Sequence, residues 1–214
     1  MKVGVLASGS GTNLQALIDA ATRGEMGPAR VVVVGANVPG CGALERAAQA
    51  GIPTFVRSHK DFATREEFDH ALLDELRRHG VGVVALAGFM RIVTPVLLGA
   101  FPHRVVNIHP ALLPSFPGVH AQEQAFDYGV RFSGCTVHFV DAGTDTGPII
   151  AQAVVPVLDG DDEEALRLRI LAEEHRLYPA VIRAIAENRV TVDGRRVHVR
   201  GTPAGLADGH LRSL

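Results

Sequence analysis

The sequence contains no apolar run that approaches the roughly 20 residues needed to cross a bilayer. Its first residues, Met1 to Leu6, form only a short apolar run that leads into a glycine-rich turn, so they do not resemble a signal peptide. These two absences predict a cytoplasmic protein that makes no membrane contact.

Cysteine is rare in the chain and the net charge is small. Of 214 residues only two are cysteines, Cys41 and Cys135, and their spacing fits neither a zinc site nor a redox pair, so both are predicted to be buried free thiols. A formal net charge of −2 gives no electrostatic reason to expect nucleic acid as a partner. With 47% hydrophobic residues, the composition is that of a globular protein with a substantial core.

Apolar runs and helical patterns alternate along the chain. Lys2 to Ala7 predicts a buried strand, and the apolar residues from Leu14 to Ala21 recur at helical spacing. Val81 to Ala87 is apolar throughout, which is typical of a central parallel strand. Four successive strand and helix alternations predict an α/β fold, a doubly wound, mostly parallel sheet with helices on both faces. The Asp193-Gly194 turn between two strand-like runs adds a C-terminal β-hairpin.

The remaining predicted elements complete this pattern, and no repeat or linker interrupts it, so residues 1–214 are predicted to form one domain. The strands are Val31–Val34, Pro53–Val56, Cys135–Val140 and Ile149–Val157. The helices are one from Leu44 to a stop at Gly51, one from Arg65 to a stop at Gly80, a short one with Thr94 as its cap and Pro95 at its first position, and helices Ala121–Tyr128 and Asp162–Asn188.

A glycine-rich turn, Ser8 to Asn13, joins the first strand to the first helix. Glycines allow close backbone approach, and a helix start offers unpaired N–H groups, so this turn predicts an anion site. A Walker loop ends in Gly-Lys-Ser or Gly-Lys-Thr, and this turn has neither sequence. The third glycine of a dinucleotide fingerprint is also absent, and Asn37 stands where an acidic residue would hold a ribose. The pattern therefore favours a phosphate monoester over NAD.

Asn107 and His109 are the most informative polar pair in the chain. They are two residues apart in the extended segment Val105 to His109, so their side chains share one face, and Pro110 ends the segment. The carboxyl end of a strand in an open α/β sheet is where ligands bind. An amide donor beside a side chain that titrates near neutrality is suited to acyl-group chemistry.

Two loops supply further candidate residues. Gly88 to Ile92 follows the predicted central strand and combines adaptable apolar side chains with Arg91, which could hold a carboxylate or carbonyl group. The turn from Asp141 to Pro148 carries two carboxylates between strands, a favoured place for catalytic groups.

Four segments together resemble the folate-dependent formyltransferases. They are Ser8–Gln15, Leu86–Ile92, Asn107–Pro114 and Asp145–Pro148, and the resemblance extends from Met1 to about Val190. Their order and spacing are most similar to the members of that family that act on glycinamide ribonucleotide (GAR). The resemblance implies a Rossmann-like fold and transfer of a formyl group from 10-formyltetrahydrofolate to the amine of GAR, in de novo purine biosynthesis.

The resemblance also implies a role for particular residues. The catalytic set is Asn107, His109 and Asp145. Substrate-binding residues are Gly11, Thr12, Asn13, Gly88, Pro110 and Glu174, with Glu174 at the ribose. Folate-binding residues are Arg65, Met90, Arg91, Ile92, Val93, Asn107, Val140, Asp141 and Asp145.

The resemblance further divides the single domain into functional parts. Residues 1–100 are expected to bind nucleotide and phosphate, residues 101–190 to carry catalysis and folate binding, and residues 190–214 to form the hairpin and a tail. GAR and the folate are the expected partners, with no metal, no nucleic acid and no membrane, and the protein is expected to be a monomer or homodimer. The mechanistic hypothesis has Asn107 and a protonated His109 stabilise the oxyanion while Asp145 relays a proton.

Three alternatives stay open at the level of sequence. Methionyl-tRNA formyltransferase and formyltetrahydrofolate deformylase share the Asn, His and Asp motifs but carry an extra domain, for which this chain is expected to have no room. A nucleotide-binding regulator with a degenerate site is a second alternative. A metal hydrolase that uses His109, His120, His138 and Asp145 is the third, although their spacing matches no helix-borne zinc pattern.

Overall fold

The structure, a computed structural model, describes residues 1–201 of the chain. These residues belong to two compact units, Met1–Asn107 and one that begins at Ile108. The predicted tail beyond Gly201 lies outside the described residues. The predictions of one domain and of its functional division stay predictions.

The first unit alternates strands and helices. Its strands are β1 (Lys2–Ala7), β2 (Arg30–Ala36), β3 (Thr54–Val56), β4 (Val83–Leu86) and most of β5 (Val105–His109), and its helices are α1 (Thr12–Thr22), α2 (Gly42–Gln49), α3 (Arg65–Arg78) and α4 (Pro95–Ala100). A one-turn 3-10 helix, His59–Asp61, is an element that the sequence reading missed.

Every strand pair within the first unit is parallel. β1 pairs with β2 and β4, β2 pairs with β3, and β4 pairs with β5. The carboxyl ends of these strands therefore meet at one edge of the sheet, and the loops that follow β1, β2 and β4 leave from that edge. Thr94 caps α4 by accepting the Val96 N–H, with Pro95 at the first helical position, as the sequence predicts.

The second unit contains the remaining elements. They are α5 (Ala121–Tyr128), β6 (Phe132–Phe139), β7 (Ile149–Pro156), α6 (Glu163–Ala186), β8 (Val190–Asp193) and β9 (Arg196–Val199). β6 and β7 are antiparallel, and β8 and β9 form the predicted hairpin. Asp162 caps α6, which buries Leu166, Ile170, Leu177 and Tyr178.

Within residues 1–201, seven strands form one sheet in the order β3-β2-β1-β4-β5-β6-β7, and β8 and β9 form a second sheet. The predicted α/β class, with its mostly parallel sheet and C-terminal hairpin, is confirmed. Element bounds differ from the predicted ones by up to three residues. For example, β6 begins at Phe132 rather than at Cys135, because Phe132 to Gly134 pair with Val154 to Pro156 on β7.

Both cysteines are buried free thiols, as predicted. No helix among the described residues has the length and apolar character that a membrane crossing needs.

Candidate active site

β5 ends in the most informative polar pair. His109 is 4% exposed and Asn107 is partly buried, and two residues of spacing on a strand place both side chains on one face. His109 is followed by the irregular segment from Pro110 to His120, called here the proline loop, which leads into α5.

The proline loop decides which ring nitrogen of His109 is available. Nε2 of His109 lies 2.8 Å from the backbone oxygen of Phe116. A carbonyl oxygen can only accept a hydrogen bond, so Nε2 carries a hydrogen and donates it. Nδ1 is therefore the ring nitrogen that remains for chemistry, and it faces Asp145.

Asp145 occupies a position between two imidazoles. Its Oδ2 lies 3.4 Å from Nδ1 of His109 and accepts the Gly118 N–H at 2.8 Å, while its Oδ1 lies 3.6 Å from Nε2 of His138. The side chain of Asp145 is 13% exposed. Two groups of the proline loop thus fix the pair, since Phe116 orients the histidine and Gly118 orients the carboxylate.

Backbone strain accompanies this arrangement. Phe116 and Asp145 have φ values of 53° and 54°, in the left-handed region that residues with a side chain seldom adopt. Each such residue costs on the order of 1–3 kcal/mol and persists only where its surroundings hold it. The hydrogen bonds at Phe116 and Gly118 are among the interactions that hold these two residues here.

The proline loop is anchored by buried polar side chains of β6 and β7. Thr136, with no exposed surface, accepts the Leu113 N–H at 3.1 Å and donates its hydroxyl to the Ala111 oxygen at 2.7 Å. Gln152 donates to the Leu113 oxygen and to the Thr136 hydroxyl, each at 2.9 Å. Satisfied buried networks of this kind rigidify a structure, so this network stiffens the proline loop in addition to the fixed backbone angles of its prolines.

The loop that carries Asp145 has its own internal order. Asp141 Oδ1 accepts the Gly143 N–H at 3.1 Å and the Thr146 hydroxyl at 2.6 Å. A Cβ atom at Gly147 would stand 1.8 Å from the Phe139 oxygen, so only glycine fits there. Arg195, in the β8–β9 turn, donates to the Thr146 oxygen at 3.0 Å, next to Asp145.

Burial and charge act in opposite directions on the central pair. Burial lowers the pKa of His109 below its usual 6.5, and the opposing influence of the Phe116 carbonyl and the Asp145 charge is smaller. For Asp145, burial favours a higher pKa, but His138, the Gly118 N–H and His109 together lower the pKa below 3.8. The lowered pKa of His109 favours a neutral imidazole, and the lowered pKa of Asp145 favours a carboxylate beside it. The expected role of a protonated His109 in the reaction stays a prediction.

The glycine-rich turn of the first unit begins α1 without a side-chain cap at Gly11. Gly11 takes the N-cap position with φ 75°, and a Cβ there would stand 2.6 Å from the Cα of Ala43 on α2. α2 also supports the turn directly, since Ala43 N–H donates to the Gly9 oxygen and Arg46 donates to the Ser10 oxygen. The turn is thus a rigid cradle whose first helical residues are Thr12 and Asn13.

The loop after β4, residues 88–93, has exposed apolar side chains and ends in a buried valine. Met90 is 64% exposed and Ile92 is 48% exposed, whereas Val93 is 4% exposed and belongs to the core. Arg91 is partly exposed and Gly88 is exposed. Exposed large apolar side chains side by side are typical of a surface that a ligand covers.

A match to a family model decides the identity of the chain. Residues 1–182 match the model described as formyl transferase. The chain belongs to this family.

The chain is similar to proteins that have been named for a specific reaction. This formyl transferase is 51% identical over 191 residues to the phosphoribosylglycinamide formyltransferase of Mycobacterium tuberculosis, a match that covers 89% of this chain and 87% of the relative. A crystal structure of glycinamide ribonucleotide transformylase 1 from Symbiobacterium toebii is 53% identical, with a TM-score of 0.91 and 93% of each chain covered.

Longer relatives contain a region that is similar to this chain. The trifunctional purine biosynthetic protein adenosine-3 of Chironomus tentans is 49% identical over 195 residues, which is 91% of this chain. The matched region is only 14% of the length of that relative.

The structure brings some of the predicted site residues of this formyl transferase together. In the second unit His109 and Asp145 are neighbours, and Pro110, Val140 and Asp141 are partly buried in adjoining loop positions. In the first unit the glycine-rich turn and the loop after β4 follow paired strands, β1 and β4. Arg65 is exposed at the first residue of α3, and Glu174 is 4% exposed on α6. Burial, and after it the charge of Glu174, raises the pKa of Cys135 and of Tyr178.

His138 is a site residue that the sequence reading did not place in the catalytic set. It is 1% exposed near the end of β6, its Nε2 faces Asp145, and its Nδ1 donates to the Phe139 oxygen at 2.9 Å. A histidine close before an Asp-containing turn is the only sequence signal for it. Among residues 1–201, no group of three or more histidine, cysteine, aspartate and glutamate side chains is arranged to hold a metal ion.

Proposed function

We propose that this formyl transferase moves the formyl group of 10-formyltetrahydrofolate to the amine of glycinamide ribonucleotide, giving N-formyl-GAR and tetrahydrofolate. The observation that carries the proposal is the His109–Asp145 pair, 3.4 Å apart, in a chain that is 51% identical to a phosphoribosylglycinamide formyltransferase over most of its length. An acyl transfer needs a proton acceptor, which this pair supplies, and a stabilised oxyanion, which is assigned to the nearby Asn107 amide.

The nucleotide is assigned to residues that suit a phosphate and a sugar. Gly11, Thr12 and Asn13 offer backbone N–H groups and the positive end of α1 to the phosphate. Glu174 is assigned to the ribose as an acceptor for its hydroxyl groups, with Gly88 and Pro110 as further contacts. Glu174 is almost completely buried, so a hydrogen bond that it accepts there is stronger than the same bond on an exposed surface.

The folate is assigned to an apolar wall with polar groups beside it. The wall is Met90, Arg91, Ile92 and Val93, and the flat pterin suits its exposed Met90 and Ile92 side chains. Val93 is buried, so its assigned contact is through the backbone. The remaining assigned contacts are Arg65, Asn107, Val140, Asp141 and Asp145.

The reaction begins when the neutral amine of GAR attacks the formyl carbon. A carbon–nitrogen bond forms, and the carbonyl electron pair moves to oxygen, which gives a tetrahedral intermediate with a cationic nitrogen and an oxyanion. The Asn107 amide donates a hydrogen bond to that oxyanion, an interaction on the order of 3 kcal/mol in the transition state.

Proton movement follows from the tautomer of His109. Because Nε2–H is held by Phe116, Nδ1 accepts the proton that the attacking nitrogen loses, directly or through water. Asp145 stabilises the resulting imidazolium and keeps it oriented. The same proton passes to N10 of the folate as the bond from carbon to N10 breaks and the carbonyl re-forms, so charge and atoms balance.

The proposal also covers the partners, the location and the oligomeric state of the enzyme. Both reactants are small molecules, and the mechanism uses side chains alone, so neither a metal nor a nucleic acid takes part. The enzyme is proposed to work in the cytoplasm as one domain, as a monomer or a homodimer.

A formyl-transfer assay with three acceptors tests the function. The purified chain is given 10-formyltetrahydrofolate with GAR, with methionyl-tRNA or with water alone, and formylated product and tetrahydrofolate are measured. We expect GAR to be formylated far faster than the other two acceptors react. Preferential formylation of methionyl-tRNA, or release of formate without an acceptor, would reject the proposal in favour of the corresponding relative.

A further inference from the structure

The hydroxyl of Ser8 stands at the junction of two loops of the first unit. Ser8 follows β1 and opens the glycine-rich turn, while Met90 lies in the loop after β4. The Ser8 Oγ accepts the Met90 N–H at 2.8 Å, and the Ser8 N–H donates to the Gly88 oxygen at 3.0 Å. One residue of the turn therefore holds the neighbouring loop at two points.

Asn37 fixes the direction of that hydroxyl. The Ser8 hydroxyl donates to Oδ1 of Asn37 at 2.6 Å, and Nδ2 of Asn37 lies 3.3 Å from Nδ1 of His59. Asn37 is only 4% exposed, at the carboxyl end of β2. Because the hydroxyl hydrogen is directed to Asn37, the oxygen lone pairs of Ser8 are left to accept the Met90 N–H.

The far end of the same loop is also fixed. Asp69 of α3, 1% exposed, accepts the Thr94 N–H at 2.5 Å, and the ring of Phe89 stacks on Phe68 with centroids 6.4 Å apart. Between these anchors, Met90 is 64% exposed and Ile92 is 48% exposed, so packing holds these two side chains only in part. The position of this part of the loop therefore depends strongly on the two anchors.

We propose that Ser8, oriented by Asn37, is a positioning residue for the folate wall Met90–Val93, and that it ties this wall to the turn that takes the nucleotide phosphate. The inference rests on the proposed function for the identity of the ligand. Ser8 acts through the Met90 amide and not on the reacting atoms. Preorganisation of this kind lowers the ordering cost of binding, so its loss appears in folate affinity before it appears in turnover.

Ser8→Ala allows two separate measurements, one of the hydrogen bond between Ser8 and Met90 and one of folate affinity. Hydrogen exchange of the ligand-free protein should show the Met90 amide exchanging at least about tenfold faster than in the wild type, since it loses its acceptor. Calorimetry with tetrahydrofolate should show the dissociation constant rise about five- to tenfold, as expected for one lost hydrogen bond. The Michaelis constant for the folate should rise equally, while kcat at saturating folate stays within about twofold.

Two further variants separate positioning from general stability. Ser8→Thr keeps the hydroxyl and should restore most of the Met90 protection and folate affinity. Thr22→Val removes another hydrogen-bonded hydroxyl of the same unit, one that donates to the Ile18 oxygen at 3.0 Å at the far end of α1. It should leave both folate measurements unchanged, even if its melting temperature falls.

Unchanged Met90 exchange in Ser8→Ala, or unchanged folate affinity, would overturn the inference. Equal losses in Thr22→Val would overturn it as well, because they would assign the effect to stability. Failure of the proposed function looks different: the wild type would not formylate GAR, whereas the exchange and tetrahydrofolate measurements would still report on Ser8.

Discussion

The Oδ2 atom of Asp145 lies 3.4 Å from Nδ1 of His109 and accepts the Gly118 N–H at 2.8 Å. The proline loop supplies that N–H group, and it also supplies the Phe116 carbonyl that holds the other ring nitrogen of His109. The pair is thus oriented from both sides by the backbone of one segment. This relationship makes each member of the pair, and the loop itself, separately testable.

Asp145→Asn should lower turnover while leaving nucleotide affinity nearly intact. Asparagine can keep the hydrogen bond from Gly118, but it removes the charge that stabilises the imidazolium formed in the reaction. We expect kcat to fall by about 10²- to 10⁴-fold, the range for a lost acid–base group, with the Michaelis constant for GAR within about threefold. Steady-state kinetics with both substrates measures this.

Asp159→Asn is the matched control for that change. Asp159 is an exposed carboxylate of the same unit that pairs with Arg131 on the surface, where such pairs contribute little. It should behave as the wild type. Near wild-type turnover in Asp145→Asn would remove Asp145 from the mechanism.

His109 should titrate below pH 6.5 in the folded protein. Burial lowers its pKa, whereas the Phe116 carbonyl and the Asp145 charge raise it by less. As the pH falls through 6.5, the unfolded chain takes up a proton before the folded chain does. The contribution of His109 to the free energy of unfolding therefore declines below pH 6.5, until the folded form is protonated as well.

Nitrogen-15 NMR of the ring checks this directly, with a midpoint expected below 6.5. In Asp145→Asn the midpoint should move lower still, because the charge that raises the pKa is gone. In Asp159→Asn it should not move. A wild-type midpoint above 6.5 would contradict the assignment of a neutral resting imidazole.

Gly11→Ala should impair nucleotide binding more than folate binding. The new Cβ would meet the Cα of Ala43 at 2.6 Å, so the turn and α2 must separate and the phosphate N–H groups must shift. We expect the Michaelis constant for GAR to rise on the order of tenfold or more, since small displacements of positioning groups are costly. The Michaelis constant for the folate should change by less than about threefold.

Gly24→Ala isolates the effect of backbone strain in that experiment. Gly24 has φ 74°, nearly the value at Gly11, yet a Cβ there meets nothing within 4 Å. Both variants should lose about 1–2 kcal/mol from the left-handed conformation alone. Only Gly11→Ala should raise the Michaelis constant for GAR, and a similar rise in both would point to stability rather than to the phosphate cradle.

Thr136→Val should loosen the proline loop and lower both stability and turnover. The change keeps the shape but leaves the Leu113 N–H and the Ala111 oxygen without their partner, and Gln152 loses one acceptor. Buried groups without partners cost about 1–3 kcal/mol each, so we expect unfolding free energy to fall by about 2–5 kcal/mol. Chemical denaturation measures the loss, and kcat should fall with it because Phe116 and Gly118 move.

Thr191→Val provides the comparison on the exposed face of β8. It removes a threonine hydroxyl from a strand of the same unit, at a position open to solvent. The expected change in unfolding free energy is within about 0.5 kcal/mol. If Thr136→Val were equally mild, the proline loop would not depend on the network around Thr136.

The sequence by itself determined the fold class, the glycine-rich turn, the Asn107–His109 strand and the cap at Thr94. These features depend on local periodicity and on residue types with strong backbone preferences, and both can be recognised in a short window. The same local information identified Asp145 as a candidate, through the motif that resembles a known family.

Only the tertiary structure decided what surrounds those residues. The tautomer of His109 depends on a carbonyl seven positions away. The partners of Asp145 come from β5, the proline loop and β6, and His138 enters the site because β6 ends beside the Asp145 loop. The lowered pKa of His109 likewise follows from burial, which outweighs the attraction of the Asp145 carboxylate. Orientation, burial and proton affinity are set by contacts between distant segments, and for that reason local sequence patterns do not contain them.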